Sequence, residues 1–228
     1  LDLYSIQLGV DLKARYGGSI TVISMGPPAA EKAIREAISM GCDDGILLSD
    51  KKFAGADTWA TSYAIAQAIR SIPDFDLVLF GERATDGDTG QVGANTAAWL
   101  DLPLATYVSA VEQAGEESID VQRMIEGGYQ RLRLPRPAVL TVVKEVASPM
   151  LPTLKGKKRA RRTEVPVYNS GNMDVEDAYL GLKGSPTRVV KIRTPKVSRD
   201  GQMVEAANGQ LDAAVDKLIS YLEQRELV

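Results

Sequence analysis

Three short runs of aliphatic and β-branched residues, 19–25, 45–48 and 76–80, are each followed by a segment of helical periodicity. This alternation constrains the fold more than any other property of the chain. Parallel strands can be joined only by a crossover of about a dozen residues or more, normally a helix. Repeated strand–loop–helix units of this length therefore predict an α/β fold, a parallel sheet with helices on both faces.

The helical segments carry their own punctuation. Residues 1–16 read as a helix with Leu3, Ile6 and Val10 on one face, stopped by Gly17-Gly18. After a buried strand at Ser19–Met25 and a Gly26-Pro27-Pro28 turn, the next helix runs to Met40. Its positions Ala30, Ala33, Ile34, Ala37 and Ile38 follow an i, i+3, i+4, i+7, i+8 stripe. Asp57 is the expected N-cap of a third helix carrying Trp59, Tyr63, Ala66 and Ile69. A fourth helix carries Val92, Ala97 and Leu100.

Beyond residue 103 the rhythm changes. Strands at 106–111, 118–124 and 129–134, with a turn at Gly127-Gly128, read as an antiparallel extension before an apolar strand at 138–143. Residues 147–165 read as a long loop, and 166–208 as an extended segment poor in core positions. A last helix at 209–224 has a stripe of Leu211, Ala214, Val215, Leu218, Ile219 and Leu222, able to dock on a partner or on its own domain. The expected division is an α/β domain over 1–165 and an arm with a docking helix over 166–228.

Composition removes several chemistries. With no His and one Cys, Ser-His-Asp and Cys-His nucleophile systems are out of reach and no internal disulfide can form, which points to a reducing, cytoplasmic compartment. A net charge of -3 argues against a general nucleic-acid binder. No apolar run approaches the ~20 residues that span a bilayer, so no membrane insertion is expected. Leu1 opens inside what reads as a helix, without Met, so the native start is expected upstream.

The most informative stretch is Gly81–Gly93, at the carboxyl end of a predicted strand and immediately before a helix, where open α/β sheets bind ligands. Gly87 and Gly90 allow close backbone approach, free N–H groups at the helix start suit an anion, and Thr89 adds a hydroxyl. Asp86 and Asp88 would repel phosphate and fit better as helix caps or holders of a ribose hydroxyl. The plain alternative is a polar turn with an Asp cap. A Mg²⁺ site on Asp86 and Asp88 lacks further oxygen ligands, and Cys42 has no visible base partner. A second feature is a basic run, Lys155, Lys157, Lys158, Arg159, Arg161 and Arg162. Without interleaved aromatics it reads as a solvated loop or as a surface steering an acidic protein.

Several segments together resemble one family. They are Val22–Pro27, Met40-Gly41-Cys42-Asp43, Asp57-Thr58, the loop Gly81–Gly93, Ile125–Gly128 with Leu134-Pro135, and Gly181–Thr187. In this order they resemble the β subunit of electron transfer flavoproteins, including its FixA-like branch. Measured against that family, a first strand, its loop and an Asn-Pro would precede Leu1.

The resemblance implies a Rossmann-like adenine-nucleotide-binding sheet flanked by helices, paired with an α subunit that holds the electron-carrying FAD. The β subunit's own nucleotide would be AMP in the plain branch, or a second FAD in the electron-bifurcating branch. Met25 would contact the adenosine. Gly81, Asp86, Gly87, Asp88, Thr89, Gly90, Gln91 and Val92 would hold ribose and phosphate, and Asp2 would touch the same nucleotide. Asp86–Thr89 and Gly184–Thr187 look more like the FixA-like branch, and Gly87 with Gly90 leaves room for a diphosphate, which favours FAD over AMP. Leu154 matches the anchor that the family presents to an acyl-CoA dehydrogenase, with Lys155, Lys157, Lys158 and Arg159 behind it. The chain departs from the family at Met150, where Arg is usual, and at Met124, where an acid is common. A stand-alone nucleotide-binding regulatory module is the rival reading, but it would need neither the recognition loop nor the arm.

Overall fold

Four helices interleave with the first three strands as the alternation predicts: α1 (Asp2–Tyr16), β1 (Thr21–Met25), α2 (Glu31–Met40), β2 (Asp44–Leu48), α3 (Thr58–Arg70), β3 (Leu77–Gly81) and α4 (Val92–Leu100). The strands β4 (Leu104–Ala114), β5 (Ser118–Ile125), β6 (Gly128–Pro135) and β7 (Ala138–Val142) follow. After them come α5 (Leu154–Ala160), β8 (Val167–Tyr168), α6 (Gly181–Gly184) and α7 (Leu211–Glu223). The structure, a computed structural model, describes residues 1–85, 87–192, 203–206 and 210–227.

The strands fall into two sheets. One is all parallel, in the order β1-β2-β8. The other runs β3-β7-β4-β5-β6, parallel through its first three strands and antiparallel through the last three. β7 lies between two neighbours and is buried at every residue, which is why its sequence is a continuous apolar run. In β2, Ile46 and Leu48 enter the cluster beneath α3 with Phe53, Tyr63 and Leu180, whereas Leu47 enters the cluster beneath α2 with Ile34 and Ile38. Period two thus gives each face of β2 its own helix. Gly45 makes the fit on the α2 side, since a Cβ there would lie 2.2 Å from Ile34 Cγ2.

Four expectations need correction. β1 is half-buried throughout rather than buried, and among the described residues its paired neighbour is β2. In α1 the residues on the main core are Tyr4, Leu8 and Leu12, while Leu3 is exposed and Ile6 packs on the α2 cluster. The helix serves two cores, so one apolar stripe does not describe it. Within 147–165, α5 replaces part of the expected loop: Thr153 Oγ1 accepts the Gly156 N–H at 2.9 Å and starts the helix. The first compact unit runs from Leu1 to Arg188 rather than to 165, because β8 pairs with β2 and Leu180 is buried against Tyr63.

The second unit, Val189–Val228, carries α7 where the final helix was expected. Leu211, Val215, Leu218 and Ile219 of its stripe are exposed.

Candidate functional site

β3 ends at Gly81, and the position requires glycine. Its N–H donates to Asp2 Oδ1 at 3.1 Å, and a Cβ there would stand 2.7 Å from that oxygen and 2.9 Å from the Leu1 carbonyl carbon. Asp2 and Gly81, two predicted site residues distant in sequence, are therefore adjacent. The loop that follows closes on itself: the Asp88 N–H donates to Ala84 O at 3.1 Å, and Arg83 Nε lies 3.2 Å from the carboxylates of both Glu82 and Asp88. Asp88 and Gly90 take positive φ, 51° and 61°, which folds the chain back toward α4. Asp86 lies outside the described residues.

Asp88 thus shapes the loop and does not cap α4. The N-cap position belongs to Gln91, whose side chain makes no capping bond. Its Oε1 instead accepts the Thr58 hydroxyl at 2.9 Å. The first turn of α4 is left without a side-chain cap, behind exposed Thr89, Gly90 and Gln91 and half-buried Val92. Among the described residues beyond its chain neighbours, the atom nearest a Cβ on Gly87 would be Thr89 Cγ2 at 4.0 Å. Met25 ends β1 as Gly81 ends β3, half-buried against the Ile46–Leu48–Tyr63 cluster.

The start of α3 joins this loop to the end of the first unit. Asp57 Oδ1 accepts the N–H groups of Trp59 and Ala60 at 3.0 and 3.1 Å, the cap expected from sequence. Its Oδ2 accepts the Thr187 N–H and hydroxyl at 2.9 and 2.8 Å, while the Asp57 N–H donates to Ser185 Oγ at 2.8 Å. Burial raises the Asp57 pKa, but the Thr187 hydroxyl and the amide donors outweigh it and hold the carboxyl below its ordinary range. Sequence reasoning named Asp57, Thr58 and the Ser185–Thr187 motif separately, and their convergence carried no sequence signal.

Met150, Leu151 and Leu154 are 69%, 90% and 87% exposed. The Met150 N–H donates to Oε1 of buried Gln7 at 3.0 Å, which ties this segment to α1. Lys155, Lys157, Lys158, Arg161 and Arg162 are exposed and make no ion pair among the described residues. Arg159 is different. Its Nη2 donates to the carbonyl oxygens of Ile38 and Cys42 at 2.8 and 2.5 Å, and Nη1 lies 3.8 Å from Asp43. That guanidinium closes the carboxyl end of α2. A cavity of about 680 Å³ opens between that helix end and α5, lined by Met40, Lys155, Lys158 and Arg162.

Cys42 is buried, and desolvation first, then the Asp43 carboxylate, pushes its thiol up to about 11. No group of three His, Cys, Asp or Glu side chains able to hold a metal occurs among the described residues. No helix among them is long and apolar enough to cross a membrane.

The fold defines a class: an α/β protein in which the loop 81–91 leaves the carboxyl end of a parallel strand and leads into a helix. The comparisons narrow it. Residues 1–171 match the electron transfer flavoprotein domain. The chain is 41% identical over its whole length to the electron transfer flavoprotein subunit beta of Thermoanaerobacterium thermosaccharolyticum, 86% of which it covers. It is 38% identical to protein FixA of Azotobacter vinelandii, over 96% of this chain and 82% of the relative. To subunit CarD of the caffeyl-CoA reductase–Etf complex of Acetobacterium woodii it is 35% identical, over 93% and 80%. The chain belongs to the electron transfer flavoprotein family, on its β-subunit side, and its role is flavin-linked electron transfer.

Proposed function

We propose that the chain binds an adenine nucleotide, FAD in preference to AMP, at the loop Gly81–Val92, and works as a heterodimer with an electron transfer flavoprotein α subunit. The uncapped first turn of α4 behind a glycine-containing loop carries this reading, because free N–H groups at a helix start favour phosphate. A bound flavin would supply the redox chemistry. The protein's part is to hold and orient. Thr89 and the amides of Gly90, Gln91 and Val92 are suited to phosphate, Asp2 and Gly81 to the ribose side, and Met25 to the adenine. Arg83 pairs with both Glu82 and Asp88, which offsets part of the negative charge at the loop. Gly87 and Gly90, without side chains, allow close backbone approach, which supports a diphosphate and thus FAD over AMP.

The second half of the reading concerns partners. Exposed Leu154 among unpaired cations fits an anchor for a flavin dehydrogenase of the acyl-CoA class, with Lys155, Lys157 and Lys158 steering an acidic rim. The relative named for a caffeyl-CoA reductase complex supports that class. The apolar stripe of α7 is suited to the α subunit. A cytoplasmic site accords with the single, buried thiol.

The test is to co-express the chain with its α subunit, purify the complex, release the nucleotides with acid and count them by chromatography. More than one FAD per heterodimer supports the reading as stated. One FAD with one AMP assigns AMP to the loop, and one FAD with no second nucleotide refutes binding there.

A further inference from the structure

We infer that Asp57 and Thr58 form a positioning element shared by the nucleotide loop and the root of the C-terminal arm, so that releasing Thr187 loosens the loop around Gln91. The inference rests on the nucleotide reading for its functional meaning and on hydrogen-bond geometry for its mechanism. An ionised carboxylate offers about four acceptor positions. Asp57 fills them with the N–H groups of Trp59 and Ala60 on one oxygen and both donors of Thr187 on the other. Its capping rotamer is therefore held from two sides, by α3 and by the arm's root.

The adjacent residue makes the connection. Thr58 is the first residue of α3, and its hydroxyl donates to Gln91 Oε1 at 2.9 Å, where the loop enters α4. Loss of the Thr187 hydroxyl leaves Oδ2 with one donor, frees the carboxylate to turn and weakens the cap. The turn that frays first is the one that carries Thr58. Ser185 strengthens the clamp, since its hydroxyl accepts the Asp57 N–H and donates to Gly181 O at 2.7 Å. The first unit ends at Arg188, one residue beyond Thr187. Along the chain, the clamp is therefore the part of the first unit next to the arm, and nucleotide retention depends on Thr187 being held.

The experiment uses the αβ complex and two readouts, hydrogen–deuterium exchange of the amides at 87–95 and adenine nucleotide retained after prolonged dialysis. T58V and T187V should each speed exchange across 87–95 by roughly three- to tenfold. The double variant should do no more than T58V alone, because both act along one route. T187S, which keeps the hydroxyl, should restore wild-type exchange, a rescue that mere packing of the Thr187 methyl does not predict. Unchanged exchange in T187V where T58V responds, or effects that multiply in the double variant, would overturn the inference. A wild-type complex with no second nucleotide would instead overturn the nucleotide reading, while the exchange data still judged the link.

Discussion

Gly156 on α5 stands against Ser39 at the end of α2: a Cβ built on Gly156 would lie 2.0 Å from the Ser39 carbonyl oxygen. Both atoms are fixed by backbone, so no rotamer change relieves the clash. G156A should cost about 1–3 kcal/mol, as other overpacked sites do, and push α5 off α2. Urea midpoints of the αβ complex read the cost, and a loss below about 0.5 kcal/mol would mean that the two helices separate freely.

Leu154 has the opposite character, with its side chain in solvent and no fold to support. L154A should leave the midpoint unchanged and slow reduction by the dehydrogenase by tenfold or more, the effect of losing an interface anchor. K155E combined with K158E should also slow the reaction, but with a deficit that shrinks as salt rises, because steering between exposed charges is screened. R159A should do something else: it leaves the carbonyls of Ile38 and Cys42 without their donor and lowers stability. Equal stability in K158E and R159A would contradict this division.

Asp50 provides the pH test. The Ser170 hydroxyl, with the Lys52 and Ser170 amides, holds its carboxyl down at about 2. A folded pKa below the unfolded value of about 3.9 gives stability that is fully present above pH ~4 and lost as pH falls toward 2. Those bonds tie the segment after β8 to the end of β2. D50N should therefore be less stable than wild type by about 1 kcal/mol at pH 7. The two denaturation curves should converge between pH 4 and 2. A constant offset down to pH 2 would exclude the carboxylate as the source.

The Cys42 thiol should be inert in the folded chain. At 1% exposure and with its pKa raised to about 11, it presents neither access nor thiolate. Ellman's reagent at pH 8 should label less than a tenth of the protein in an hour, and all of it in urea. Rapid labelling of the native complex would show that the end of α2 opens readily.

The legible parts of this chain were those with local signals. The α2 stripe, the Asp57 cap and the stop at Gly17 are each encoded within one helical turn or a few, and the structure has all three. The strand–loop–helix junction at 81–92 was legible because Gly81 closes a strand run and a helix follows. Helix α5 was hidden because its cations mask any apolar period, although Thr153 followed by Leu, Lys and Arg is a cap before good helix formers. β8 is two residues long, too short for an alternation to register. The contacts of Asp57 with Thr187 and of Arg159 with Cys42 span 130 and 117 residues and leave no trace in spacing.

Helix α5 divides its work between two sides. Gly156, Arg159 and Ala160 face the body of the protein and answer to Ser39, Ile38 and the α2 cluster. Leu154, Lys155, Lys157 and Lys158 are exposed, and the three lysines make no ion pair among the described residues. The outward set is therefore under no packing constraint from α2, whereas the inward set is; if the proposed docking holds, partner choice can change without refolding the helix.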